Sequence, residues 1–100
     1  MNWFVYIIRT RQNTLYTGIT TDILQRFAAH EQGKQGAKYL RSKGPLQMVY
    51  CIEVGSHSLA AKAEYRIKKL SKAHKERIVA CNLDRRALLI RLQLQDDLPP

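Results

Sequence analysis

The sequence predicts an α+β fold, a three-stranded antiparallel sheet flanked by helices, in the order β-β-α-β-α-α plus a C-terminal tail. Three observations carry this expectation. Trp3-Phe4-Val5-Tyr6-Ile7-Ile8 and Leu46 to Val54 are short runs rich in aromatic and β-branched residues, which suit a pleated surface. Two other stretches place apolar residues at helical spacing: Ile23, Leu24, Phe27 and Ala28, and Ala60, Ala63, Ile67 and Leu70. A chain of 100 residues bounds the domain count at one, since domains usually run about 50–250 residues.

Each element has its own signal. The run Trp3–Ile8 is apolar throughout, so it is expected to be central and covered on both faces. Arg11-Gln12-Asn13 supplies a polar turn, and Thr14 to Thr20 returns as the second strand of an antiparallel hairpin. Gly18 interrupts that strand, which marks a bulge or a close approach by another group. Thr20 or Thr21 is expected to cap the first helix, with Asp22 at its positive end, and the helix is expected to stop at Gly33. Residues 32–45 read as a long basic loop with a helical turn near Tyr39-Leu40, and Leu46 to Val54 reads as the third strand. Gly55-Ser56-His57-Ser58 ends that strand and starts a helix, and Ser71 breaks the chain into a further helix reaching about Cys81. Leu83 to Leu94 fits both periods; its Arg, Ala, Leu and Gln content favours helix. Asp96 to Pro100 is expected to fray.

The composition excludes several classes. Apolar residues make up 45%, which argues against wholesale disorder. No apolar run approaches the ~20 residues that span a bilayer, and the amino end lacks the order of a signal peptide, so the expected compartment is cytoplasmic, without membrane association. Cys51 and Cys81 stand thirty residues apart with no CxxC pair, so both are expected to be buried small hydrophobes rather than zinc ligands.

The net charge is +9, unevenly spread: residues 22–44 carry +3 and residues 60–79 carry +5. A cationic surface of this kind suits a phosphate backbone, although a solvated helix face would look the same. Lys34, Lys38, Arg41 and Lys43 on the loop, and Lys68 on the second helix, are the candidate nucleic-acid contacts.

Five residues stand out as chemistry. The hairpin brings Tyr6 and Tyr16 together, either as core aromatics or as a phenol pair beside a cleft. A phenol ordinarily titrates near pH 10 and needs help to lose its proton. Arg26 and His30 lie four apart on one helix face, where the guanidinium has the geometry to clamp a phosphate. Glu64 stands alone among Lys62, Arg66, Lys68 and Lys69. It either pairs with Lys68 one turn on or holds one Mg²⁺ together with water and substrate phosphate.

Val5-Tyr6-Ile7, followed ten residues later by Tyr16-Thr17-Gly18, resembles the paired motifs of the GIY-YIG nuclease domain. The resemblance continues through Arg26, His30 and Glu64 and covers about residues 2–80. Leu15 to Asp22, Gly36-Ala37-Lys38-Tyr39 and Ile67 to Ser71 look like the small stand-alone bacterial members. It implies a nuclease-like domain over 2–80, an extension over 81–95 that packs on it or serves association, and a frayed tail over 96–100. It also implies hydrolysis of phosphodiester bonds in DNA, structure-directed and linked to repair or processing, with a single Mg²⁺ or Mn²⁺ on Glu64. Arg26 would then neutralise the phosphoryl group, Tyr6 would act as base with Tyr16 as its hydrogen-bonded partner, and His30 would orient a tyrosine or relay a proton. Lys38 would contact phosphate, and Gly18 would keep the strand clear.

The chain departs from the pattern at Val5, where the first Gly would stand, and at Thr17, where the middle Ile would stand. Asn82 is the sole late Asn that could match the Asn which larger members carry after the Glu helix. No second domain supplies DNA specificity, so either affinity is expected to be weak or structure-directed, or a protein partner supplies targeting. The alternative reading is a nucleic-acid-binding module on the same fold with little or no cleavage. A third is a self-association domain that uses Leu88, Leu92 and Leu94 as a weak homo-oligomer surface.

Overall fold

The computed structural model describes residues 2–32, 40 and 43–95. Lys34, Lys38 and Arg41, most of the expected basic loop and the stretch 96–100 lie outside the described residues. The elements are β1 (Trp3–Arg9), β2 (Leu15–Thr20), α1 (Ile23–Gln32), β3 (Gln47–Gly55), α2 (His57–Lys68), α3 (Lys72–Cys81) and α4 (Arg85–Arg91). The sheet is antiparallel with strand order β2-β1-β3, so β1, which carries the apolar run Trp3–Ile8, is central as expected.

Alternation along β1 divides the interior in two. Val5 and Ile7 point to one face, where they join Tyr50 and Val54 of β3 under Leu59, Ala60, Ala63 and Ile67 of α2, Ile78 of α3, and Leu88, Leu89 and Leu92 of α4. Tyr6 and Ile8 point to the other face, into a smaller core with Leu40, edged by Tyr16, Ile23, Phe27, Leu46 and Met48.

The tail resolves as helix. Leu88, Leu92 and Leu94 are inside the main core, so they present no apolar surface for self-association. Three polar ties hold this end down: the Tyr50 hydroxyl donates to the Leu83 carbonyl (2.6 Å), Arg85 Nε donates to the Val54 carbonyl (3.2 Å), and Arg66 Nη1 donates to the Leu92 carbonyl (2.8 Å). Asn82 caps α3 in the left-handed region at φ 47°, a conformation that asparagine tolerates.

Several local expectations need correction. The first helix is capped by Asp22 itself, which accepts from the Gln25 N–H (3.1 Å); Thr20 Oγ1 instead accepts from the Asp22 N–H. A carboxylate at this position meets both the open N–H groups and the positive helix end, which a threonine one or two residues earlier cannot do. Leu24 (84% exposed) and Ala28 are on the solvent side, because α1 turns Ile23, Phe27 and His30 inward instead. Neither cysteine is buried. Cys51 faces outward from edge strand β3 beside Glu53, and Cys81 closes the last turn of α3. Ser56 and Ser71 do cap α2 and α3, accepting from Leu59 and His74 N–H groups.

One ion-pair cluster joins distant parts of the surface. Arg9 grips Glu76 with two parallel hydrogen bonds (2.6 and 2.8 Å), and Lys72 adds a third contact (2.9 Å). The hydrogen bond from Arg9, then that from Lys72, hold the Glu76 carboxyl down to about 2. A depressed carboxyl stabilises the fold above its unfolded pKa and stops doing so as pH falls through the folded value. Glu76→Gln is expected to lower stability at pH 7 by about 1 kcal/mol, or roughly 4–8 °C in Tm for a domain of this size. The gap between variant and wild type should close between pH ~4.5 and ~2 in thermal melts.

Candidate functional site

The hairpin register positions the site. Ile8 pairs with Tyr16 and Tyr6 pairs with Gly18, so both tyrosines project from the same face one pleat apart. Their ring centroids are 6.5 Å apart. The Tyr6 ring lies directly over Gly18, and a Cβ there would overlap the Tyr6 hydroxyl and its ring carbon. The missing side chain therefore lets a residue of the central strand lay its ring across the edge strand.

The Tyr6 hydroxyl meets α1 at His30 Nε2 (2.8 Å). Tyr6 is 1% exposed and His30 2%, so this pair is sealed. Burial, then the neighbouring Arg26 charge, lowers His30 to about 4, which keeps its ring neutral at physiological pH. Burial also raises Tyr6 above the ordinary phenol value; an Arg26 hydrogen bond opposes this, and Tyr16 and Glu64 add to it. Arg26 and Glu64 are thus both within electrostatic reach of one hydroxyl, although they come from helices on different faces of the sheet. Tyr16 is the more accessible phenol: it is half-buried, with its ring edge-on to His30 at 5.6 Å.

Glu64 sits on the α2 flank that packs along β2 and pairs with Lys68 at i+4 (3.3 Å). The Lys68 ammonium is also 6.0 Å from the Tyr16 ring centroid. Among the described residues no three His, Cys, Asp or Glu side chains gather. This donor set suits an ion of the Mg²⁺ kind, which commonly takes one or two carboxylates and completes its shell with water and substrate phosphate. It does not suit a closed protein cage. Of the five residues named from the sequence as chemistry, Tyr6, Tyr16, Arg26, His30 and Glu64 all come to this one place. Lys68 joins them, and Lys43 lies on the described end of the loop, its backbone carbonyl accepting from the Arg11 N–H. The resemblance implied that His30 orients a tyrosine; the structure shows that tyrosine to be Tyr6.

The family model of the GIY-YIG catalytic domain matches residues 2–77. The chain belongs to the GIY-YIG family. A UPF0213 protein of Klebsiella pneumoniae is 56% identical over 91% of this chain and 85% of its own length, and the UPF0213 protein YhbQ of Escherichia coli is 54% identical over 91% and 90%. The solution NMR structure of a UPF0213 protein from Bacillus halodurans is 40% identical and covers 81% of this chain and 85% of its own, with a TM-score of 0.54. Among the described residues no helix is long and apolar enough to cross a membrane.

Within this GIY-YIG domain the buried hydrogen bond gives two expected outcomes. Tyr6→Phe leaves His30 Nε2 without its partner and should cost about 1–3 kcal/mol in chemical denaturation, whereas Tyr16→Phe should cost less than 1. In NMR titration, the His30 ring should stay neutral above pH ~5 and titrate near 4. Because this pKa is lowered on folding, stability should fall as pH drops from ~6.5 toward 4.

Proposed function

We propose that this GIY-YIG protein binds DNA, engaging the phosphodiester backbone at the Tyr16, Arg26 and Lys68 side of the site. The observation that carries this reading is a tyrosine pair with a cation on each member: Lys68 lies against the accessible Tyr16, and Arg26 hydrogen-bonds Tyr6, whose ring centroid is 6.5 Å from that of Tyr16, within a chain of net charge +9. A guanidinium offers paired N–H donors to a phosphate, and the surrounding cations supply attraction that does not depend on sequence. The GIY-YIG family relationship supports nucleic acid as the ligand.

A second reading, metal-dependent hydrolysis of the same backbone, is favoured by the neutral His30 behind Tyr6. A phenol whose pKa is raised is a poor base by itself. Because enclosure beside Arg26 opposes a protonated His30 and Tyr6 is itself buried, His30 serves to orient the Tyr6 ring, and the half-buried Tyr16 is the phenol that an attacking water can reach. Arg26 then balances the negative charge that develops on the phosphoryl group. Glu64, once released from Lys68, is the carboxylate that would hold one Mg²⁺ or Mn²⁺. Such an ion supplies Lewis-acid polarisation and charge stabilisation. A targeting partner, repair or processing, and a preference for particular DNA structures belong to this reading.

Fluorescence anisotropy on duplex DNA separates these ideas from inert packing. Binding should weaken steeply between 50 and 200 mM salt, and Arg26→Ala should reduce the salt slope by about 1. Affinity that ignores salt would count against both readings. Cleavage of nicked, branched or single-stranded substrates that requires Mg²⁺ or Mn²⁺, and that Glu64→Gln removes while its melt stays unchanged, would establish hydrolysis. Salt-sensitive binding with no cuts on that panel would leave the binding reading alone standing.

A further inference from the structure

Helix α2 has a second exposed flank that the site above does not use. Each residue turns the helix by about 100°, so Tyr65 and Lys69 lie one step round from Glu64 and Lys68. With Arg66 and Leu70 they line an open groove of about 490 Å³ whose opposite wall is Arg91 and Leu92 at the end of α4. Tyr65 is 60% exposed and belongs to neither core. The Lys69 ammonium lies 4.5 Å from its ring centroid, and the exposure leaves room on the ring for a second planar group.

The groove is electropositive by construction. Arg66 commits Nη1 to the Leu92 and Gln93 carbonyls (2.8 and 3.1 Å). Among the described residues no carboxylate pairs with Arg66, Lys69 or Arg91. Three cations against two helix C-termini, each worth about −0.5, leave roughly +2. An exposed aromatic ring with flanking cations over a small apolar floor is the combination that binds unpaired nucleotides. Duplex DNA hides its base faces in the stack, so a stacking ring gains nothing from it.

We propose that this groove is a second nucleic-acid subsite, which takes a single-stranded stretch of DNA with a base on Tyr65 and phosphates on Lys69 and Arg91. The proposal rests on the reading that the tyrosine site engages DNA, and it adds the substrate class: duplex that carries an unpaired extension. A helix is about 10–12 Å across with its side chains, and a strand rises about 3.4 Å per nucleotide. A few unpaired nucleotides therefore bridge from one flank of α2 to the other.

The test uses the full chain in chelator, with anisotropy probes that are a blunt duplex and the same duplex bearing a single-stranded extension. Wild type should bind the extended probe about tenfold more tightly. Tyr65→Leu and Arg91→Gln, both at exposed positions, should erase that gain and leave the blunt-duplex Kd unchanged. Equal wild-type affinity for the two probes, or an extended-probe Kd that Tyr65→Leu does not change, overturns the proposal. The tyrosine site is read separately by Arg26→Ala, which should weaken both probes. Blunt-duplex binding that ignores Arg26→Ala while Tyr65→Leu still costs the extended probe supports the groove and sinks the reading of the tyrosine site. A wild type that binds neither probe sinks both.

Discussion

The contact between the Tyr6 ring and the Gly18 backbone is the constraint on which the site depends. A tyrosine in the middle strand of a sheet would ordinarily bury its hydroxyl under a covering helix. Here the antiparallel register sets it opposite a residue without a side chain, and the ring lies flat across the edge strand. The hydroxyl then emerges where α1 can deliver His30 and Arg26, and where α2, from the other face, can deliver Glu64. Any Cβ at position 18 would push the ring away from all three. The residue is therefore fixed by packing, and the electrostatic surroundings of the hydroxyl follow from that packing.

Neutrality at His30 is a second consequence of the same enclosure. A protonated imidazole would have to share a sealed space with the Arg26 guanidinium, and burial opposes the charge as well. The Tyr6 hydroxyl consequently has a cationic hydrogen-bond donor in Arg26 and a neutral partner in His30. Glu64 is held differently. Its pairing with Lys68 is partly exposed and of the kind that contributes little to stability, so an incoming phosphate or cation can replace it at small cost.

Much of the fold was legible because its signals are local. The unbroken apolar run in β1 gave its central place, and Ser56 and Ser71 gave two helix starts through a hydrogen bond made within three residues. The misreadings came where local chemistry is degenerate or where the answer is tertiary. Thr20, Thr21 and Asp22 are all good caps, and only the path of the chain out of β2 selects Asp22. Leu24 fits a helical stripe as well as Ile23 does, but α1 is rotated to bring His30 under Tyr6. Cys51 is outside because β3 is an edge strand and the smaller core ends before reaching it. Motif spacing brought five site residues into view, yet not their division into sealed Tyr6 and His30 and accessible Tyr16. The α2–α4 groove had no sequence trace at all, since its walls are 20 or more residues apart.

The family match ends at residue 77, whereas the main core continues through Ile78, Leu88, Leu89, Leu92 and Leu94. Full burial of such a side chain contributes about 1.5–3 kcal/mol, so these five together are comparable with the ~5–15 kcal/mol net stability of a small domain. A fragment cut where the family model ends would keep every motif residue and lose the floor beneath β1 and β3. In this protein the segment that the catalytic-domain model describes is shorter than the segment that folds as one, and the UPF0213 relatives, which match 91% of the chain, share that longer segment.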